Sequence, residues 1–132
     1  YGGIGRGMKV GKEELCGLLA AVERYLKVDH AAEMRELEAR VKLIRASLEG
    51  VAGIRTDRHV PVIANEVPHV TIEWDESSRG FTSQQVIEKL QAGDPPIHVQ
   101  RPGNGRLLIS VWMMRGDEHK IVGRRLNQIF TA

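Results

Sequence analysis

Arg6 and Lys9 stand three residues apart in the opening stretch YGGIGRGMKVGKEEL, among Gly2, Gly3, Gly5, Gly7 and Gly11. Glycine has no Cβ and accepts positive φ, so such a loop lets the backbone approach a ligand closely. Arg6 offers a planar two-donor fork and Lys9 a compact charge, both just ahead of a helix-like segment that starts near Lys12. The chemistry this supports is anion binding, reinforced by helix N–H groups and the helix dipole. The same two cations also read as solvated charges on a terminal segment, and the residues alone leave both readings open.

Other chemistries find less support. Met8 occupies the place of the third glycine in a dinucleotide fingerprint, and no strand precedes it. A P-loop fails because Arg6 replaces its first glycine and Glu13 follows Gly11-Lys12 where a hydroxyl should bind magnesium. His30, His59, His69, His98 and His119 show no i,i+4 pairing and no grouping with Cys16, so the spacing of metal ligands is missing. Ser47, Ser77, Ser78, Ser83 and Ser110 have no nucleophile elbow and no marked base. Cys16, between apolar positions of the first helix, is expected to be a small buried residue. Trp74, Trp112, Met113 and Met114 are expected in the sheet core or an interface. Asp75-Glu76 is expected to be a solvated turn. The residues by themselves offer no catalytic constellation.

The elements that must position these residues follow from periodicity. Leu15, Leu18, Leu19, Val22 and Leu26 form one apolar stripe over Lys12 to Lys27. Asp29 can cap a second helix through Met34, Leu37, Val41, Ile44 and Leu48 to a stop at Gly50, with Arg40 and Arg45 as ordinary surface cations. The period then changes to two: β-branched residues in GIRTDRHVPVIANEVPHVTIEWDE predict two strands, the second over His69 to Trp74 and the first interrupted by Pro61 and so at an edge. Thr82 and Gln85 form a capping box for the next helix, with Phe81 placed to staple onto Val86 and Gly93 and Pro95 as stops. PIHVQRPGNGRLLISVWMM predicts a hairpin around Pro102-Gly103-Asn104-Gly105, and a last helix runs from near Asp117 through Ile129. The order α-α-β-β-α-β-β-α with short connections predicts an α+β two-layer sandwich, a mostly antiparallel sheet of about four strands with helices packed on it.

Composition sets the outer bounds. The 132 residues suit one domain by the usual size of about 100 to 200 residues. Nineteen basic and 17 acidic residues are spread along the chain without a cationic run, and aromatic residues make up only 5%, so nucleic-acid binding is not favoured. One cysteine excludes an internal disulfide framework, no apolar run suits a membrane span, and the opening segment lacks the pattern of a signal peptide; a cytoplasmic location is expected.

The stretch IGRGMKVGKEELCGLLAAVERYL resembles the segment joining the large and small domains in the selenocysteine-synthase-like family of pyridoxal-phosphate enzymes, within the fold type I aspartate aminotransferase superfamily. There a GRxxKV or GRxxRV motif is followed by a helix of this type. The similarity continues through the helix pair, PHVTIEWDE, IHV, the glycine turn with RLLIS, and GDEHKIVGRRLNQI. The resemblance implies that residues 1–11 are an interdomain loop and 12–132 a C-terminal small domain, with the large cofactor-binding domain absent from this chain. It implies pyridoxal phosphate in the full-length enzyme and none bound to this piece, because the Schiff-base lysine belongs to the large domain; Lys9, Lys12 and Lys27 do not sit in its context. Arg6 then corresponds to a substrate-anion ligand, and Lys9 falls where selenium-transferase members carry a second arginine. The parent would be a transferase or an ammonia-lyase acting on a small anionic or amino-acid-like substrate, partnered by the large domain and by further copies of itself. The alternative is a stand-alone binding or oligomerisation module.

Overall fold

The computed structural model describes residues 8–62, 66–103 and 105–132, with the side chains of 101 and 102 left aside. Two compact units emerge, Tyr1–Ala32 and Glu33–Ala132.

The first unit is built on α1, Lys12–Lys27. Glu14 reaches back to accept the Gly11 N–H, and Leu15 N donates to Gly11 O at 3.2 Å, so the first turn is closed by the chain's own groups. Arg24 and Lys27 in the last turn face the negative end of the helix dipole. The predicted stripe is present but buries nothing: Val22 is 46% exposed and Leu26 77%. Cys16 is exposed, against the expectation of a buried residue, because α1 has no buried position for it to occupy. Asp29 Oδ1 accepts Ala32 N–H at 2.9 Å and starts α2, His30–Ser47, as its place in the sequence predicts.

The second unit is an α+β two-layer structure. Its strands are β1 (Ile54–His59), β2 (His69–Trp74), β3 (Gln100–Gly103) and β4 (Arg106–Ser110), in the spatial order β1-β2-β4-β3, and every neighbouring pair is antiparallel. The helices are the body of α2, the short α3 (Glu76–Arg79), α4 (Ser83–Gln91) and α5 (Glu118–Thr131). Strand β1 stops at His59, two residues before Pro61 rather than being interrupted by it, and lies at the sheet edge as expected. Thr82 and Gln85 form the predicted capping box of α4.

One face of the sheet is apolar. Val70 lies opposite Ile109 and Ile72 opposite Leu107, and these join Trp74 and Val111 in a core completed by α2 (Leu37, Val41, Ile44), α4 (Val86, Ile87, Leu90) and α5 (Val122, Leu126, Phe130). Trp74 stands edge-on to Phe130 with centroids 5.1 Å apart, and its Nε1 donates to Phe81 O at 3.2 Å, which satisfies the indole inside the core. Helices α2 and α5 approach closely where Gly123 faces Ser47; a Cβ there would sit 3.0 Å from Ser47 Oγ. Gly105 ends the hairpin at φ 62°, and a Cβ on it would meet Trp74 O at 2.2 Å, so both conformation and space require glycine.

Besides Cys16, three expectations change in whole or in part. Strand β3 begins only at Gln100, because Ile97 N donates instead to Leu90 O at 3.0 Å and ties that segment to the end of α4. Past Val111 the chain turns, with Met114 N donating to Val111 O at 3.4 Å, so Met114 is half-buried against the core while Trp112 and Met113 are carried out to 51% and 73% exposure. Arg40 is no ordinary surface cation: its side chain is 11% exposed, and Nη1 donates to Val111 O at 3.2 Å and Met114 O at 2.7 Å, fixing that turn from α2.

Candidate functional site

The opening loop splits at the edge of what the structure describes. Arg6 lies outside the described residues. Lys9 is exposed, two residues before the Gly11 that starts α1. The Gly11 amide is taken by Glu14, and Glu13 adds a second carboxylate to the first turn. An anion held here would therefore depend on the cationic side chains rather than on the Gly11 N–H, since the positive end of this helix already has negative partners.

In the second unit, the polar side chains that spacing did not single out are the ones with built surroundings. Glu76, expected to be solvated in a turn, lies in α3 and is half-buried. Its Oε1 accepts Ser83 N–H at 2.6 Å, Ser83 Oγ at 2.7 Å and Gly105 N–H at 2.8 Å, joining the start of α4 to the hairpin turn. Ser83 thus has a carboxylate partner after all, but it is 1% exposed and its hydroxyl serves structure. Asp75 caps α3: Ser77 donates to Oδ1 from both its hydroxyl (2.6 Å) and its amide (2.9 Å), which holds the Asp75 carboxyl below its ordinary range. Arg79 donates to Phe130 O near the end of α5 and lies over the Phe81 ring, 5.4 Å from its centroid. The local signal for this group is the pair D-E followed by S-S, a short N-cap pattern that four-residue helices carry too weakly to stand out in a sequence.

The sheet face opposite the core is mostly polar. Arg55, Glu73 and Arg106 align across three strands, with Glu73 Oε2 at 2.5 Å from Arg55 Nη2 and Oε1 at 3.2 Å from Arg106 Nε. The hydrogen bond to Glu73 raises the Arg55 guanidinium further above its ordinary range. Asp57, Thr71 and Leu108 make the next row, with Thr71 buried, and His59, His69 and Ser110 the third. Two open clefts accompany these surfaces. One of about 770 Å³ is bordered by Arg79, Phe81, Gln85, Lys89 and Phe130. The other, about 600 Å³, lies along α2 and β1 beside Lys42, Arg45 and Arg58. In the second cleft Arg58 forks onto Glu38, Nη2–Oε1 2.6 Å and Nε–Oε1 2.8 Å, and that hydrogen bonding raises its pKa. Among the described residues, no group of three or more His, Cys, Asp or Glu is arranged to hold a metal ion. Also among them, no helix is long and apolar enough to cross a membrane.

No family model matches the chain. It is 29% identical over 131 residues to a 5'-C-glycyluridine monooxygenase-decarboxylase from a Streptomyces species, covering 98% of this chain and 33% of that protein. It is 24% identical over 99 residues to D-glucosaminate-6-phosphate ammonia lyase from Salmonella typhimurium, covering 75% of this chain and 26% of the relative. Among solved structures it is similar in fold to a D-glucosaminate-6-phosphate ammonia-lyase, with a TM-score of 0.66 at 21% identity over 98% of this chain and 34% of that one. The chain therefore spans between a quarter and about a third of the length of these relatives.

Proposed function

We propose that this chain is the C-terminal, substrate-side domain of a pyridoxal-phosphate-dependent, lyase-like enzyme. The observation that carries this reading is the similarity itself, which runs over 98% of the chain in the monooxygenase-decarboxylase and over 75% in the ammonia lyase while occupying only one part of each. Relatives of that kind favour the lyase side of the family resemblance over a selenium transferase.

The residues present do not fit the cofactor by themselves. An internal aldimine needs a lysine whose amine is shielded enough to be nucleophilic at neutral pH. Lys9, Lys12, Lys27, Lys42, Lys89 and Lys120 are all exposed. The cofactor and its lysine are accordingly assigned to a separate large domain. What this chain supplies is positioning. The glycine-rich loop at residues 1–11 is the crossing between domains, and Arg6 with Lys9 holds an anionic group of the substrate. The name of the ammonia lyase carries both an acid and a phosphate, which is the kind of group this pair of cations suits.

The experiment is direct: express the gene with the sequence that precedes Tyr1, and assay bound pyridoxal phosphate and ammonia release from phosphorylated amino-sugar acids. Cofactor-dependent ammonia release supports the reading; an intact protein that binds no cofactor refutes it.

A second reading, a stand-alone oligomerisation module, is favoured by one observation, the exposed stripe of α1. The intact protein's cofactor content separates the two.

A further inference from the structure

We propose that His59 and His69 form a two-imidazole site for a divalent transition-metal ion of the copper, nickel or zinc type. Ten residues apart in sequence, the two histidines are direct partners in the antiparallel register of β1 and β2. Opposed residues of adjacent strands project from the same face with Cβ atoms about 4.5–5.5 Å apart, a separation from which two imidazoles can reach one ion. Both residues are half-buried, on the sheet face opposite the apolar core.

The hydrogen bonding of His69 points to a ligand independently of the register. Its Nδ1 lies 2.8 Å from Val67 O. A carbonyl only accepts, so Nδ1 carries a proton, which leaves Nε2 as the nitrogen that can ligate. This is the arrangement that metal-bound histidines adopt, one ring nitrogen donating to a backbone carbonyl while the other ligates. Asp57 is two residues before His59 on the same face and Ser110 is the β4 partner of His69, so both can bond to water molecules completing the coordination. Two nitrogen donors with water select imidazole-binding metals over magnesium or calcium. An ion here would clip the edge strand β1 to β2.

Titration of the untagged chain with copper(II), followed by calorimetry and by electron paramagnetic resonance, tests the site. The expected result is one ion per chain with nitrogen coordination, weakened by roughly tenfold or more in His59→Gln and again in His69→Gln, and unchanged in His98→Gln. Binding should fall as pH is lowered, because protonated imidazole is not a ligand. Circular dichroism checks that each variant folds; if His69→Gln does not, the edge-strand variant His59→Gln decides. No saturable binding, or binding that survives His59→Gln or is lost in His98→Gln, overturns the proposal.

Discussion

Glu76 Oε1 accepts the Gly105 amide at 2.8 Å across 29 residues of sequence, and the same oxygen also receives both donors of Ser83. One carboxylate thus sets the start of α4 and the turn of the β3–β4 hairpin. Replacing Glu76 by Ala leaves the buried Ser83 hydroxyl and two amides without their acceptor, at about 1–3 kcal/mol per unsatisfied group. The expected loss is about 3 kcal/mol in Glu76→Ala and less than half of that in Glu76→Gln, which retains an acceptor oxygen. Urea unfolding of the three proteins checks this; equal stability of Glu76→Ala and wild type would show the contact to be incidental.

The exposed stripe of α1 gives the second prediction. Leu15, Leu18, Leu19 and Leu26 are between 56% and 77% exposed along one helix, an apolar patch of the kind that marks an interaction surface. The isolated chain is expected to self-associate, and Leu19→Glu to shift it toward monomer while leaving its circular dichroism unchanged. Sedimentation that finds only monomer at high protein concentration would count against it.

Much of this architecture is legible in the sequence, for identifiable reasons. Long periodic segments such as α1, α2 and α4 are marked by their apolar spacing, and α2 and α4 carry their own start signals in Asp29 and Thr82-Gln85. The edge position of β1 is expected from Pro61, although the strand ends before that residue, and the hairpin is expected from its glycines. What spacing does not show are contacts between distant residues. Arg40 looks like any helix cation until Val111 and Met114 arrive from more than 70 residues away. Glu76 looks like a turn acid until Gly105 arrives. The His59–His69 pair is invisible to ligand-spacing rules because strand register, rather than helical repeat, brings it together. The stripe of α1 has the period of a buried face; its exposure is a property of the fold that no periodicity reveals.

The third prediction concerns the loop. In the enzyme with its large domain, Arg6→Ala is expected to lower kcat/KM by at least tenfold, an apparent loss of about 1.4 kcal/mol or more, with cofactor absorbance unchanged. Lys9→Ala is expected to cost less, because a single ammonium lacks the bidentate fork. Steady-state kinetics with the anionic substrate check both. Unaltered constants in Arg6→Ala would restore the reading of a solvated terminal charge.

On the proposed reading, the cofactor is held outside this chain while the chain serves the substrate side. The most direct test is pyridoxal phosphate mixed with residues 1–132 and, separately, with the protein extended upstream of Tyr1, each reduced with borohydride and mapped by mass spectrometry. One stoichiometric lysine adduct is expected in the extended protein, upstream of Tyr1, and only scattered substoichiometric labelling of the six exposed lysines in residues 1–132. A stoichiometric adduct at any one of Lys9, Lys12, Lys27, Lys42, Lys89 or Lys120 would contradict it.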